Sequence, residues 1–280
     1  MDVRITACSQ DGICANANRI SNLLLNQTVL VIKGVPHRLT EIEIYYTSIE
    51  HPDPFNHCHP LQQLSGYWYF HSATKTIGSY KGGTYKGLDI TCGSTNTYGG
   101  ILIRSIELPN KSILEGPSKI VDYLLKQCGY DSIAALMTNH GDKKGILEVT
   151  DRTAPLYLTR EPGLTSTLTV YSCPRVGLSL KQPSKDKYIY IMKPYRYLTT
   201  PKNIKKNRNL MILSLYHQGI SETAIKQLTA SPITTIQRHI GYDKDGAKMK
   251  LDFQQPYNLT RVEDVSKLYG HMQYMQYNRI

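Results

Sequence analysis

Arg38-Leu39-Thr40-Glu41-Ile42-Glu43-Ile44-Tyr45-Tyr46, followed after a short link by Asp53-Pro54-Phe55-Asn56-His57, decides how the rest of the chain is read. The first stretch alternates. Leu39, Glu41, Glu43 and Tyr45 fall on one side of an extended strand, and Thr40, Ile42, Ile44 and Tyr46 on the other. One side is apolar and packs, while the other carries two carboxylates. A carboxylate on the open face of a strand is ordinarily just solvated, so Glu43 gains interest only from its surroundings in the sequence.

Upstream, Ile20, Leu23, Leu24 and Leu25 set an apolar face at helical spacing, and residues 28–33 form a β-rich run closed by the turn Gly34-Val35-Pro36. Residues 1–17 are polar, without an amphipathic period, and are expected to form a weakly ordered leader. Downstream, residues 51–79 read as a loop rich in Pro, His and aromatics, interrupted by Tyr67-Trp68-Tyr69-Phe70. Two strands are predicted at residues 85–91 and 100–107, joined by a Gly/Ser/Thr/Asn turn. Gly116-Pro117-Ser118 opens a helix that Gly129 ends. Later strands are predicted at residues 168–171 and 187–192.

The chain changes character after residue 205. Leu210, Ile212, Leu213 and Leu215 suggest one helix, Ser221 caps a second, and Ser231-Pro232 starts a third. Three short helices over residues 205–245 resemble a helix-turn-helix unit, whose last helix would offer Thr234, Thr235, Gln237, Arg238 and His239 to DNA. Small helical units without DNA affinity share this pattern. Residues 246–280 form a tail too irregular to read.

Charge points the same way. The formal net charge is +11, and residues 181–208 hold nine Lys or Arg against one acid, Asp186, the footprint of a phosphate-contacting strip or of a solvated basic loop. The apolar runs are too short to span a bilayer, so no membrane partner is expected. The N-terminus lacks the pattern of a secretory signal, which leads to an intracellular expectation, nuclear in a eukaryote. Six scattered cysteines without CxxC spacing read as reduced thiols.

Glu43-Ile44-Tyr45 on a strand, with the Asp53 to His57 loop after it, resembles the signature of the alkyladenine (3-methyladenine) DNA glycosylases: Glu-x-Tyr, then Asp-x-x-x-His. Further matches follow in order. Residues 20–31 resemble that family's opening helix and strand, Gly83-Thr84-Tyr85 its Gly-x-Tyr strand, and residues 99–107 the next strand with Arg104 as a pocket arginine. Gly116-Pro117-Ser118-Lys119 resembles its helix start, and Pro174-Arg175-Val176-Gly177 with Lys193-Pro194-Tyr195-Arg196-Tyr197 its closing segment. The resemblance spans residues 18–200. It implies an α+β fold, a single mixed domain on a curved antiparallel β-sheet, followed here by the small helical unit. It also implies a partner, single- or double-stranded DNA, and excision of a flipped base without a cofactor or metal. Residues 201–280 are left as the surface for a protein partner.

The residue types suit that chemistry. Breaking an N-glycosidic bond leaves positive charge on the sugar, which a carboxylate can stabilise while it activates water. By the resemblance Glu43 takes this role, with Arg104 as its charge partner. Tyr45 and His57 form the two walls of the base slot, and Tyr80 is a third face unless the alignment shifts by one residue to Ser79. Stacking returns roughly 1–3 kcal/mol per base against the cost of extrusion. Lys81, Gly82, Arg175, Lys193 and Arg196 would contact DNA. No lysine matches a nucleophile position, so the reaction is hydrolytic, without strand cleavage.

Two departures stand out. The bulky wedge of the family aligns with Gly82, which cannot fill a base stack. Either Lys81 or Tyr80 substitutes, or the substrate is already unpaired. An asparagine of the pocket floor aligns with Asp89, which when ionised only accepts hydrogen bonds and would favour a base edge rich in donors. The loop with His59, Trp68 and His71 departs as well and would build a different lid. Two further readings compete: a non-enzymatic protein that reads a flipped or modified base, and a metal site drawn from His51, Asp53, His57, Cys58 and His59, where His57 and His59 would point the same way on an extended loop.

Overall fold

The computed structural model describes residues 1–6, 9–161 and 167–277 as a mixed α+β protein built on a curled antiparallel half-barrel sheet with several helices. It divides into two compact units. The first comprises Met1–Val170 with Tyr197–Thr199, the second Tyr171–Arg196 with Thr200–Ile280.

The first unit begins with helix α1 (Gln10–Asn26), followed by β1 (Thr28–Ile32) and β2 (Val35–Thr47). The weakly ordered leader expected over residues 1–17 is corrected here. Ser9 caps α1 by accepting from the Gly12 amide at 3.2 Å, and Ile13, Ala17, Ile20 and Leu24 form one buried stripe. Val3 and Ile5 are buried too, and the Ile5 amide bonds the Cys92 carbonyl. Polar neighbours hid a stripe that starts seven residues before Ile20.

Strands β3 (Ser65–Phe70), β4 (Leu88–Cys92), β5 (Tyr98–Glu107), β6 (Ile113–Glu115) and β7 (Leu156–Arg160) complete the sheet of this unit. Their order is β3-β4-β5-β2-β1-β7, with β6 also on β5. Residues 83–85, expected to open a strand, form a 3-10 turn, and the strand begins at Leu88. The helix read from Gly116-Pro117 is α2 (Pro117–Cys128). Gly129 closes it at φ 76°, a left-handed position that suits glycine. A second helix, α3 (Ile133–His140), follows under a Ser132 cap.

Cross-strand register explains the two faces of the sheet. Ile44, Ile101, Ile90 and Trp68 lie opposite one another across β2, β5, β4 and β3, and all four are buried in the core. The neighbouring row runs Glu43, Leu102, Asp89, Tyr69, so these four side chains share the opposite face. Trp68, assigned from sequence to a lid, belongs to the core and donates its indole N–H to the Leu156 carbonyl at 3.3 Å.

The second unit starts with β8 (Tyr171–Cys173) and then α4 (Lys185–Ile191). A strand was expected at residues 187–192. Ser184 instead caps a helix by accepting from the Lys187 amide at 3.2 Å, and Asp186 sits in its first turn. The strand expected at residues 168–171 starts only at Tyr171. Helices α5 (Arg208–His217), α6 (Glu222–Thr229) and α7 (Ile233–Gly246) stand where the spacing puts them, and Ser221 caps α6. The tail adds α8 (Val262–Tyr277), which packs on α7 through glycines: a Cβ on Gly246 would fall 1.9 Å from the Lys267 carbonyl oxygen.

No helix among the described residues is long and apolar enough to cross a membrane. Cys14, Cys58, Cys92, Cys128 and Cys173 are free thiols, and Cys8 lies outside the described residues.

Candidate functional site

Two linked clusters occupy the polar face of the sheet in the first unit. In the first, β2 and β5 break register: Ser105 to Ile103 runs against Glu41 to Ile42, a two-for-one step that makes Arg104 the extra residue of a β-bulge. The bulge turns Arg104 and Ser105 together onto Glu41. Arg104 Nε donates to Glu41 Oε1 at 2.7 Å and Ser105 Oγ to Glu41 Oε2 at 2.8 Å, while Arg104 Nη1 reaches Glu43 Oε2 at 3.4 Å. The Tyr45 hydroxyl donates to the same Glu43 oxygen at 2.9 Å.

Burial of the Arg104 guanidinium works against its charge, yet Glu43 and then Glu41 outweigh that and hold its pKa above the ordinary arginine value. Two carboxylates and one guanidinium thus leave the buried group with a net negative charge before its other neighbours are considered. Glu43, read from sequence as a carboxylate on an open face, is 0% exposed. Tyr45 and Arg104 close over it.

The second cluster lies two strands away, roughly 10 Å by the ordinary strand spacing. His71 Nε2 meets Asp89 Oδ1 at 2.9 Å. The His57 ring packs edge-on against His71, with centroids 4.6 Å apart, and its Nδ1 meets the Tyr69 hydroxyl at 3.3 Å. Lys81 Nζ approaches His57 Nε2 at 3.3 Å. Burial, foremost, and the charge of His71 push the His57 pKa down to about 4, with Asp89 pulling the other way and Lys81 and Lys75 adding to the fall. His57 is therefore a neutral ring at pH 7. Burial also lowers the Lys81 pKa.

Gly100 separates the clusters, and its lack of a side chain matters. A Cβ there would stand 2.5 Å from Asp89 Oδ2 and 2.6 Å from Gln62 Nε2, so both groups occupy the space a side chain would take. Asp89, expected to face a base with both oxygens, already gives Oδ1 to His71.

Beside these clusters is a hollow of about 710 Å³ lined by Tyr80, Lys81, Gly82, Lys86, Lys126 and the first turn of α3. Tyr80 sits edge-on to Phe70, and Lys86 pairs with Asp122. The sequence-derived residues thus gather as Glu43, Tyr45 and Arg104 in one cluster, His57, Lys81 and Asp89 in the next, and Tyr80, Lys81 and Gly82 along the hollow. Sequence reading missed Glu41, Gln62, Tyr69 and Ser105, and gave His71 to a lid.

No protein-family model matches the chain. An uncharacterized protein of Acanthamoeba polyphaga mimivirus is 35% identical over 209 residues, which cover 69% of this chain and 90% of that protein. The chain belongs to the family of that mimivirus protein.

Outside the clusters, this member of the mimivirus family departs from the sequence expectations in several places. Arg175 and Arg196, expected on a DNA-facing strip, are 2% and 0% exposed. Arg175 stacks over the Tyr195 ring at 5.4 Å, and Arg196 Nη1 donates to the Lys206 carbonyl at 3.1 Å. Both spend their charge inside the second unit. Lys193 is half-buried beside Tyr188, Phe253 and Met272. On α7, Thr234, Gln237 and Arg238 are exposed, and Gln237 Nε2 donates to Glu222 Oε2 at 3.0 Å. His239, counted from sequence among the outward residues, faces inward and is buried.

The metal reading also meets a correction. Cys58 takes a left-handed φ of 48°, which breaks the extended geometry that would align His57 with His59. His59 Nδ1 accepts from the Leu61 amide at 3.2 Å and its ring stacks on Tyr69. Among the described residues no three metal-ligating side chains converge.

Proposed function

We propose that the chain is a monofunctional DNA glycosylase of the alkyladenine type. Support comes from one observation: Glu43 and Asp89 share a row on the polar face of the sheet, with Arg104, Tyr45, His57 and Tyr69 around them.

In this reading Glu43 stays ionised beside Arg104 and stabilises the positive charge that grows at C1′ of the sugar. Water attacks C1′ and gives its proton to Glu43, while the glycosidic electron pair leaves with the base. Tyr45 and neutral His57 are the faces for the base. For the carboxylate to act, the Tyr45 hydroxyl must swing off it as substrate arrives. Lys81, Lys86 and Lys126 line the hollow that receives the phosphates.

A second reading has its own observation. Glu43 is fully enclosed and position 82 lacks a wedge, as suits a protein that holds a modified or unpaired base without excising it.

One experiment separates the two. Oligonucleotides carrying alkylated, deaminated or oxidised bases, single- and double-stranded, are incubated with wild type and with Glu43→Gln, and both abasic sites and binding are measured. Excision that Glu43→Gln lowers by about 10²-fold or more, with binding kept, supports the enzyme. Binding without excision in either protein supports the base reader. No affinity for any nucleic acid defeats both.

A further inference from the structure

The second unit holds a hollow that the proposed excision chemistry does not use. It measures about 330 Å³ and is lined by Lys205, Arg208, Arg238, His239, Tyr242 and Glu263, together with the start of α5. We infer that this hollow is an anion site that takes a phosphate group.

Charge selects the sign of the ligand. Three cations face the hollow, and its carboxylate, Glu263, is already committed to Lys267 Nζ at 2.6 Å and to Arg261 Nη2 at 3.2 Å. Arg208 is held in place, since its Nε and Nη2 donate to the Ile204 carbonyl at 2.8 and 2.6 Å. A guanidinium fixed in advance loses little freedom when an oxyanion arrives.

His239 points to a ligand independently. It is 6% exposed, it lines the hollow, and its Nδ1 is buried without a hydrogen-bond partner. A buried polar atom left in this state costs about 1–3 kcal/mol, which an oxygen acceptor placed in the hollow would recover. Burial first, and the charge of Arg238 second, lower the His239 pKa, so the ring is neutral at pH 7 and its Nδ1–H tautomer is a donor.

The start of α5 adds to this. Asn207 occupies the N-cap at φ 52° and ψ 41°, and its side chain does not cap the helix. The first turn therefore lacks the side-chain oxygen that usually serves it, and a phosphate oxygen is the natural replacement. A phosphodiester of nucleic acid and a free phosphate ester present the same chemistry here.

The test uses the full chain and inorganic phosphate. Phosphate is titrated against chloride at matched ionic strength, with thermal unfolding and the imidazole ¹⁵N resonances of His239 as readouts. The comparison is a Lys205→Ala/Arg238→Ala double variant, whose two changes fall on exposed side chains, and its phosphate-free Tm serves as the folding control. Phosphate should raise the wild-type Tm and shift the His239 resonances, and the double variant should bind it about ten-fold more weakly or worse. An equal response in both proteins, or none in the wild type, overturns the site. Oligonucleotides identify the source. Displacement by phosphate, with weaker binding in the double variant, assigns a phosphodiester, whereas unchanged oligonucleotide affinity alongside lost phosphate binding assigns a free phosphate group.

Discussion

The hydroxyl of Tyr45 donates to Oε2 of Glu43 across 2.9 Å, so the ring proposed to stack on a base also stoppers the carboxylate proposed to act on its sugar. Two residues apart on one strand, they lie on the same face, and the hydroxyl reaches back along β2 to its neighbour. A base seated on the ring would compete with that hydrogen bond, which couples occupancy of the slot to release of the carboxylate.

Tyr45→Phe separates these two duties. The ring is kept and the hydrogen bond to a charged acceptor is lost, so unfolding free energy should fall by about 1.5–3 kcal/mol while affinity for nucleic acid stays near that of wild type. Tyr45→Ala should lose affinity as well, by about 1–3 kcal/mol for one stacked base. Urea unfolding and fluorescence anisotropy read the two effects. Equal affinity in the Phe and Ala variants would remove Tyr45 from the slot.

Arg104→Ala should be among the most damaging substitutions in the first unit. It leaves Glu41 and Glu43 buried without their shared cation, at a cost of about 3–5 kcal/mol. Arg104→Met, which removes the same charge but fills the volume, should rescue little, because the burden lies on the carboxylates and not in the cavity. Glu41→Gln added to Arg104→Met should recover part of the loss, measured as a coupling energy by denaturant unfolding.

Much of this arrangement was legible beforehand, and what was hidden has physical reasons. The alternation from Arg38 to Tyr46 placed Glu43 and Tyr45 on one face, as found, because a period of two survives in any strand. The bulge that brings Arg104 and Ser105 onto Glu41 left no mark in the sequence, since it is a property of paired strands and not of one. Tyr69 and His71 did leave a signal: they alternate with Trp68 and Phe70, but the Pro- and His-rich surroundings masked a strand of six residues. Arg175 and Arg196 read as part of a basic strip because composition carries no information on burial. In residues 187–192 the β-branched and aromatic side chains outvoted the Ser184 cap, although the cap settles the element.

His57 gives stability a pH dependence with a definite sign. Its folded pKa of about 4 lies below the ordinary 6.5, so the unfolded chain binds the proton more readily. Stability from this group is complete above about pH 6.5, declines as pH falls, and is lost once pH passes below the folded value. At 1.36 kcal/mol per pKa unit the full effect is about 3 kcal/mol. Urea unfolding at pH 7 and at pH 4 should show a smaller difference for His57→Gln than for wild type. Identical pH dependence in both proteins would place the titration elsewhere.

Gly100→Ala tests whether Asp89 and Gln62 truly fill the place of a side chain. The added methyl would meet Asp89 Oδ2 at 2.5 Å and Gln62 Nε2 at 2.6 Å, and Gly100 itself is buried in β5. Both obstacles are side-chain ends, so they yield before the backbone does, but each is needed where it is: Asp89 for His71, and Gln62 for the His59 amide that donates to its Oε1 at 3.0 Å. Overpacking of this kind costs about 1–3 kcal/mol. The sharper expectation concerns His71, because an Asp89 pushed aside no longer supports its protonated form, and the His71 pKa measured by NMR should fall relative to wild type. Loss of stability with the His71 titration unmoved would mean that the carboxylate holds its position and the strand, not the polar cluster, absorbs the methyl group.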